Sequence, residues 1–254
     1  MRWCNMSSAV PQETALLYAT PPAPCHYLEG RESVNLFIAP SVPMSAHRYD
    51  QLITLGFRRG GEYVYRPACP ACAACLPTRV PVRRFTPNRS QRRTLTRNQD
   101  LTIHGHPFTF RPEHFALYRR YLVGRHRDGG MDDNLTPEGY CHFLNSHWSE
   151  TWLYEFRREH ELIAVAAVDH LADGLSAVYT FFDPVHADRS PGRYAILWQI
   201  AEARRRGLDH LYLGFWVDGC RKMAYKREYR PLEAFVNEAW HPLERCVTLR
   251  QKED

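Results

Sequence analysis

The stretch ELIAVAAVDHLADGLSAVYTFFDPVHADRSPGRYAILWQIAEARRRGLDHLYLGFW, residues 161–216, decides the fold. Its first part contains two runs rich in apolar and β-branched residues, 161–171 and 176–184, which predict two strands joined by a turn. Residues 193–207 predict a helix, because apolar residues recur at helical spacing and a glycine closes the segment. Residues 208–216 predict a third strand. This order indicates an α/β or α+β core with one sheet and a packed helix.

The remaining segments predict a chain of three parts. Residues 1–24 are proline-rich and predict a weakly ordered lead, and residues 25–100 predict an N-terminal domain and arm rich in cysteine and arginine. Residues 101–254 contain the core described above. Further helices are predicted at 44–57 and 112–126, with a short strand at 104–110.

Composition narrows the class of protein. With 44% hydrophobic and 24% charged residues, the 254-residue chain has ordinary globular values, which excludes wholesale disorder. No stretch approaches the roughly 20 apolar residues that span a membrane, and no secretory signal is apparent. We therefore expect a cytoplasmic protein without membrane contact, whose cysteines are thiols or metal ligands rather than disulfides.

Three cysteines follow one another with two residues between neighbours, at Cys69, Cys72 and Cys75. Tetrahedral zinc or an iron–sulfur cluster takes four ligands, and Cys25 is the candidate for the fourth. The same spacing is compatible with a purely structural group of thiols. The sequence leaves both interpretations open.

An arginine-rich arm follows the cysteines, and no acidic residue interrupts it before Asp100. Each guanidinium presents a planar fork of donors that matches a phosphate, so the arm predicts contact with nucleic acid. The alternative is a solvated surface. The turn RSPGRYA, residues 189–195, resembles the pyrophosphate-binding turn of acetyltransferases, although Tyr194 stands where Gly or Ala is expected.

Standard catalytic motifs are absent from the sequence. HELIA begins like a zinc-protease motif, but Ala164 replaces the second histidine. Neither a phosphate-binding loop nor a Gly-x-Ser-x-Gly elbow is present. The sequence therefore favours a reaction that needs no standard nucleophile.

Five blocks of sequence, in order, carry a resemblance to a known family: PCHYL (24–28), GFRRGGEYVYRPACPACAAC (56–75), DGLSAVYTFFDP (173–184), RSPGRYAILWQI (189–200) and LYLGFWVDGCRKMAYKREYRPLE (211–233). They resemble the arginyl-tRNA–protein transferase family, and within it the bacterial branch that uses leucine. The resemblance implies transfer of leucine from leucyl-tRNA to proteins beginning with Asp or Glu, which marks them for N-end rule degradation. It also implies an α+β fold with an acetyltransferase-like (GNAT-type) C-terminal domain and a smaller cysteine-containing N-terminal domain.

This chemistry suggests roles for individual residues, and no cofactor is needed for the transfer itself. The candidates for catalysis are Asp169, Tyr179, Asp183, Tyr212 and Tyr225. Those for binding the acidic acceptor and the leucyl group are Arg58, Arg59, Arg79, Phe181 and Trp216. Those for binding tRNA are Arg89, Arg92, Arg93, Arg97, Arg189, Lys222, Lys226 and Arg227. The alternatives are a coenzyme A-dependent N-acetyltransferase and a non-enzymatic regulator that binds zinc or RNA.

Overall fold

The structure is a computed structural model that describes residues 16–125 and 135–250. Its larger sheet has eight strands, which are numbered in chain order. From edge to edge they are β14 (Ala239–Pro242), β13 (Glu233–Val236), β7 (Cys75–Pro81), β12 (His210–Val217), β11 (Gly174–Phe182), β10 (Glu161–His170), β9 (Thr151–Arg158) and β8 (Thr102–Pro107). The strands predicted at 161–171, 176–184 and 208–216 are confirmed as β10, β11 and β12, and the one predicted at 104–110 corresponds in part to β8.

A split between β11 and β12 is the feature of the sheet that positions the site. These two strands run parallel and pair only from Gly174 to Ser176 and from His210 to Tyr212. Directly beyond this pairing, each strand has a β-bulge in its register with its other neighbour. Val178 of β11 has no paired residue on β10, and Leu213 of β12 has none on β7. A bulge bends its strand, so the two strands separate toward their carboxyl ends.

Two layers of helix cover the sheet. β10 is buried throughout residues 162–169 because α5 (Pro191–Arg205) packs on one face and α3 (Pro112–Arg125) packs on the other. From Ala164 to Val168, successive residues of β10 accordingly alternate between the two hydrophobic clusters. Helices predicted at 193–207 and 112–126 are thereby confirmed.

The N-terminal region forms a smaller sheet, in the order β1 (Leu17–Ala19), β4 (Asn35–Ile38), β6 (Tyr63–Pro67) and β5 (Arg58–Gly60). β2 (Ala23–Pro24) pairs with β3 (Glu32–Ser33), and α1 (Ala46–Thr54) confirms the helix predicted at 44–57. The chain then enters the larger sheet as β7, between β13 and β12. Of the predicted lead, residues 1–15 lie outside the described residues. The domain boundaries at residues 24 and 100 stay a prediction.

The other helices are α2 (Arg89–Arg97), α4 (Pro137–Leu144), α6 (Leu243–Arg250) and two 3-10 helices, Pro184–Arg189 and Arg221–Glu228. α2 begins with a capping box, in which the side chains of Asn88 and Gln91 each accept a hydrogen bond from the backbone N–H of the other residue. The predicted mixture of helices and strands is confirmed as a large mixed sheet with a separate N-terminal region. No helix in the described ranges is long and apolar enough to cross a membrane.

Candidate functional site

Arg58 occupies the split between β11 and β12. Its guanidinium donates to Ser176 Oγ at 2.9 Å and to the Ala177 carbonyl at 2.8 Å, both on β11. On the β12 side it lies against Gly214, where an added Cβ would approach Arg58 Nε to 3.3 Å. Gly214 also has a φ of +75°, which favours glycine. Both this backbone conformation and the close approach of Arg58 therefore disfavour a side chain at position 214. The backbone therefore leaves room for the guanidinium between the strands.

Lys226 lies near Arg58 and contacts β12, one of the two strands that form the split. It belongs to the second 3-10 helix, is only 5% exposed, and donates from Nζ to the Phe215 carbonyl of β12 at 2.5 Å. Burial, together with the positive charge of Arg58, lowers the pKa of Lys226 to about 7. The two cationic side chains are therefore close enough to repel each other.

We call Arg58, Lys226 and the split between β11 and β12 the cationic notch. Across residues 16–125 and 135–250, no ion pair within 4.0 Å includes either of these side chains. Buried charges normally have a partner of opposite sign, because an unpaired buried charge costs several kcal/mol. The notch therefore has the electrostatic character of a site that receives an anion.

The two other arginines predicted to hold an acidic substrate are already paired. Arg59 donates to both carboxylate oxygens of Asp169 at 2.6 Å, and both side chains are almost completely buried. Arg79 pairs with Glu233 at 2.9 Å and stacks on the ring of Trp240. Only Arg58 of the three thus carries a charge that no carboxylate of the described chain neutralises.

The role in tRNA binding predicted for Lys226 stays a prediction, although the residue is buried. Only 5% of Lys226 is exposed, so an anion can reach its ammonium only by entering the notch. Lys222 and Arg227 of the same 3-10 helix have more exposed side chains, and for them the prediction stays open.

The residues predicted to be catalytic are not brought together at one point. The Tyr212 hydroxyl donates to Asp173 at 2.9 Å, and burial raises the pKa of Tyr212. Asp183 caps the first 3-10 helix and pairs with Arg120 at 3.0 Å. Tyr225 is 42% exposed, and its ring lies 5.9 Å from Lys226 Nζ, which places it beside the cationic notch.

The predicted leucyl pocket is also not assembled from the residues chosen for it. Phe181 belongs to the cluster under α3, whereas Trp216 belongs to the cluster under α5, on the opposite face of the sheet. Tyr179 packs edge-on against Phe143, with their ring centroids 5.1 Å apart. A pocket built from Phe181 and Trp216 together is therefore not supported by this arrangement.

A basic surface covers the exposed face of α2. Four arginines and Thr96 line a surface concavity of about 530 Å³: Arg89, Arg92, Arg93 and Arg97. Like charges three and four residues apart destabilise a helix. No ion pair involving these four arginines occurs within the part of the chain that the structure describes. The surface is thus suited to an external polyanion.

Polar contacts tie α2 to the helix that carries Lys226. Gln91 donates from its side chain to the Glu228 carbonyl at 3.0 Å, and Arg193 of α5 pairs with the Glu228 carboxylate at 2.6 Å. Arg189, also predicted to bind tRNA, is engaged in a pair with Asp100. The arginine surface and the cationic notch therefore share one structural support.

The four candidate cysteine ligands lie in the N-terminal region. Cys25 accepts backbone N–H contacts from residues 27 and 28 at 3.5 Å, and Cys69 accepts one from Val34 at 3.4 Å. However, no three of these sulfurs lie within 4.8 Å of one another in the described chain, so this arrangement is not a formed metal site. Metal binding by these cysteines stays a prediction.

A cluster that the sequence did not indicate surrounds Glu155 of β9. Its carboxylate accepts from His114 at 2.8 Å, from Arg111 at 2.6 Å and from Arg157 at 2.6 Å, and His106 lies 3.2 Å away. Burial opposes ionisation, but these hydrogen bonds outweigh it and lower the pKa of Glu155 to about 2. Both carboxylate oxygens already hold a guanidinium, so the cluster is an ion-pair network rather than a metal site.

Two family models match the chain over most of its length. Residues 23–93 match "Arginine-tRNA-protein transferase, N terminus" and residues 113–236 match "Arginine-tRNA-protein transferase, C terminus". The first range contains Arg58 and the cysteines, and the second contains Lys226. The two cationic residues of the notch therefore come from separate matched segments.

Similar curated proteins share about half of their residues with the chain. An aspartate/glutamate leucyltransferase of Nitrosococcus oceani is 53% identical over 88% of this chain and 94% of its own length. A protein of the same name from Pseudomonas entomophila is 50% identical over the same shares. Among solved structures, L-PGS from Bacillus licheniformis is 16% identical over 70% of this chain and 64% of its own, with a TM-score of 0.43, too low to support an argument.

Proposed function

Because the chain belongs to the arginine-tRNA-protein transferase family, we propose that it transfers leucine from leucyl-tRNA to the α-amine of proteins that begin with Asp or Glu. The name of its relatives supports this donor and these acceptors. Acceptors that receive leucine are thereby marked for N-end rule degradation. The proposal includes a cytoplasmic location and requires no cofactor for the transfer.

The cationic notch is the observation that carries the proposal. An N-terminal Asp or Glu differs from other first residues by one carboxylate. Arg58 and Lys226 supply two buried donors that pair with no carboxylate among the residues that the structure describes. A carboxylate that enters the notch raises the pKa of Lys226 and favours its charged form. Asn and Gln have similar shapes but no charge, so they leave the notch unneutralised.

The chemistry needs alignment more than it needs a strong base. The acceptor's nitrogen attacks the ester carbonyl of leucyl-tRNA, the bond to the ribose oxygen breaks, and the amine's proton passes to that oxygen. Roughly one α-amine in ten is already neutral at pH 7, so deprotonation costs only about 1.4 kcal/mol. Holding amine and ester together supplies most of the acceleration. Tyr225 lies beside the notch, where its hydroxyl can orient the reacting groups.

The arginine surface of α2 suits the phosphates of the donor tRNA. Its four guanidiniums line an open concavity, and α2 is tied through Glu228 to the 3-10 helix that carries Lys226. We place the acceptor end of the tRNA near the split, as expected for an acetyltransferase-like fold. The strand–helix–strand unit β11–α5–β12 with its separated parallel strands supports this topology.

A transfer assay tests the proposed function. The protein is incubated with radiolabelled leucyl-tRNA, arginyl-tRNA or acetyl-coenzyme A and with otherwise identical proteins that begin with Asp, Glu or Ala. We expect label only from leucyl-tRNA and only on Asp and Glu. Label from acetyl-coenzyme A would favour the acetyltransferase alternative, and no transfer from any charged tRNA would refute the proposal.

A further inference from the structure

A row of aromatic side chains crosses the outer face of the N-terminal sheet. Tyr18 of β1 lies directly opposite Phe37 of β4, and Phe37 lies directly opposite Tyr65 of β6. Their ring centroids are 5.6 Å and 5.4 Å apart, and Tyr63 contacts Phe37 at 6.1 Å. We call Tyr18, Phe37, Tyr63 and Tyr65 the aromatic row.

Two side chains of the aromatic row, Tyr18 and Tyr63, are open to solvent. Tyr18 is 40% exposed and Tyr63 is 50% exposed, whereas Ile38 and Val64, next to the row residues in sequence, are buried on the other face of the sheet. A sheet that faces water on one side normally carries polar residues there. Here the outer face carries aromatic residues, which is typical of a binding surface.

The near end of the row meets the cationic notch. Arg58 lies directly opposite Tyr65 in the strand pairing. The ring of Tyr65 also lies 5.9 Å from that of Phe215, whose carbonyl accepts the hydrogen bond from Lys226. A series of ring contacts therefore connects the notch, through Tyr65 and Phe37, with Tyr18 at the edge of the sheet.

We propose that the aromatic row binds the residues of the acceptor protein that follow its N-terminal Asp or Glu. This inference rests on the proposed function, because it starts from an acidic side chain held in the notch. From Arg58 on β5 to Tyr18 on β1, the sheet has four strands spaced about 4.8 Å apart. An extended chain advances about 3.4 Å per residue, so roughly four residues fit along this distance, with the acidic first residue at Arg58. The acceptor's positions two to four are then favoured when they are apolar.

The ring geometry favours a peptide over the single-stranded end of the tRNA. The rings of Tyr18 and Phe37 are inclined by 19° and those of Phe37 and Tyr65 by 26°, so neighbouring rings cover each other's faces. A nucleobase stacks on a free ring face, which the interior of the row does not offer. Apolar side chains pack equally well against ring edges.

Acceptor peptides of different length test the inference. We compare the dipeptide Asp-Ala with the pentapeptide Asp-Leu-Phe-Leu-Ala in wild type, Tyr18→Ala and Tyr63→Ala. Wild type should use the pentapeptide with the higher kcat/KM. Each variant should lose about five- to tenfold in kcat/KM on the pentapeptide, as expected for truncation of a side chain in an interface, and nothing on the dipeptide. Phe110→Ala is the matched control, because Phe110 is 38% exposed and lies outside the row.

Other results overturn the inference in distinguishable ways. Equal losses on both peptides, or no loss on either, would show that the row does not hold the acceptor chain. Weaker binding of leucyl-tRNA by Tyr18→Ala and Tyr63→Ala, with unchanged peptide KM, would assign the row to the tRNA instead. Failure of wild type to transfer leucine to either peptide would refute the proposed function itself.

Discussion

Replacing Lys226 by methionine, K226M, tests whether a buried ammonium stands in the cationic notch. The pKa of Lys226 falls from its usual 10.5 to about 7 in the folded protein. Between these pH values the unfolded chain binds the proton and the folded chain does not, so stability rises with pH. Since each pKa unit corresponds to about 1.4 kcal/mol, Lys226 lowers the free energy of unfolding by roughly 4 kcal/mol at pH 7 compared with pH values above 10.5.

K226M removes this pH-dependent penalty. It also leaves the Phe215 carbonyl without its donor, which costs about 1–3 kcal/mol at every pH. We therefore expect K226M to be about 1–3 kcal/mol more stable than wild type at pH 7 and less stable than wild type at pH 10. Urea unfolding at pH 7, 8.5 and 10 measures both quantities.

The same variant should lose activity although it gains stability. A hydrogen bond to a charged group contributes about 1.5–3 kcal/mol, so kcat/KM for a Glu-initiated peptide should fall roughly ten- to a hundredfold. K222M is the matched control, because Lys222 is an exposed lysine on the same 3-10 helix and should leave the pH dependence of stability unchanged. Stability curves for wild type and K226M that run parallel from pH 7 to pH 10 would refute the reasoning, as would undiminished transfer by K226M.

Three further predictions concern the surroundings of the notch. Changing Arg92 and Arg93 to Ala should weaken leucyl-tRNA binding and reduce the slope of log K against log salt by about two, one for each phosphate that is no longer neutralised. Asp169→Asn should lower the free energy of unfolding by about 3–5 kcal/mol in urea titrations, because it leaves the buried Arg59 without a carboxylate. The pKa of Glu155 is lowered from 4.5 to about 2, so its contribution to stability is present above pH 4.5 and disappears as the pH falls toward 2. In Glu155→Gln, the free energy of unfolding should therefore depend less on pH between 4.5 and 2.

Each of these predictions has a control and a result that contradicts it. Arg83 and Arg84 are exposed on the loop before α2, and replacing both by Ala should leave the slope of log K against log salt unchanged. An unchanged slope for the variant that lacks Arg92 and Arg93 would show that α2 does not contact the tRNA. Asp50→Asn should change stability by less than about 1 kcal/mol, because Asp50 is only partly buried and lacks an ion pair in the described chain. A similarly small effect of Asp169→Asn, or acid unfolding unaffected by Glu155→Gln, would contradict the electrostatic account.

The strand–helix–strand core was predictable because its residues follow simple periodicities. The runs at 161–171 and 176–184 are largely apolar, as expected for strands covered on both faces, and the helix ends before Gly207. β7 was not predictable, because CLPTRVP contains two prolines and an arginine, which argue against an internal strand. Its place between β13 and β12 depends on tertiary pairing that no local pattern records.

The site was predictable in part. Arg58 and Arg59 are neighbours on one strand and look equivalent in sequence, yet adjacent strand residues face opposite sides, so Arg59 meets Asp169 and Arg58 enters the split. Lys226 lies between the more exposed Lys222 and Arg227, and its burial follows from how the 3-10 helix folds back on β12. The sequence carries no local signal for that burial.

The most direct test of the central claim compares two acceptor peptides that differ only in their first residue, Glu or Gln. Each is incubated with leucyl-tRNA and the protein, and addition of one leucyl residue is measured by mass spectrometry. A notch that recognises a carboxylate predicts leucine on the Glu peptide, none on the Gln peptide, and a strongly reduced yield on the Glu peptide with K226M. Equal modification of the Glu and Gln peptides would contradict the claim.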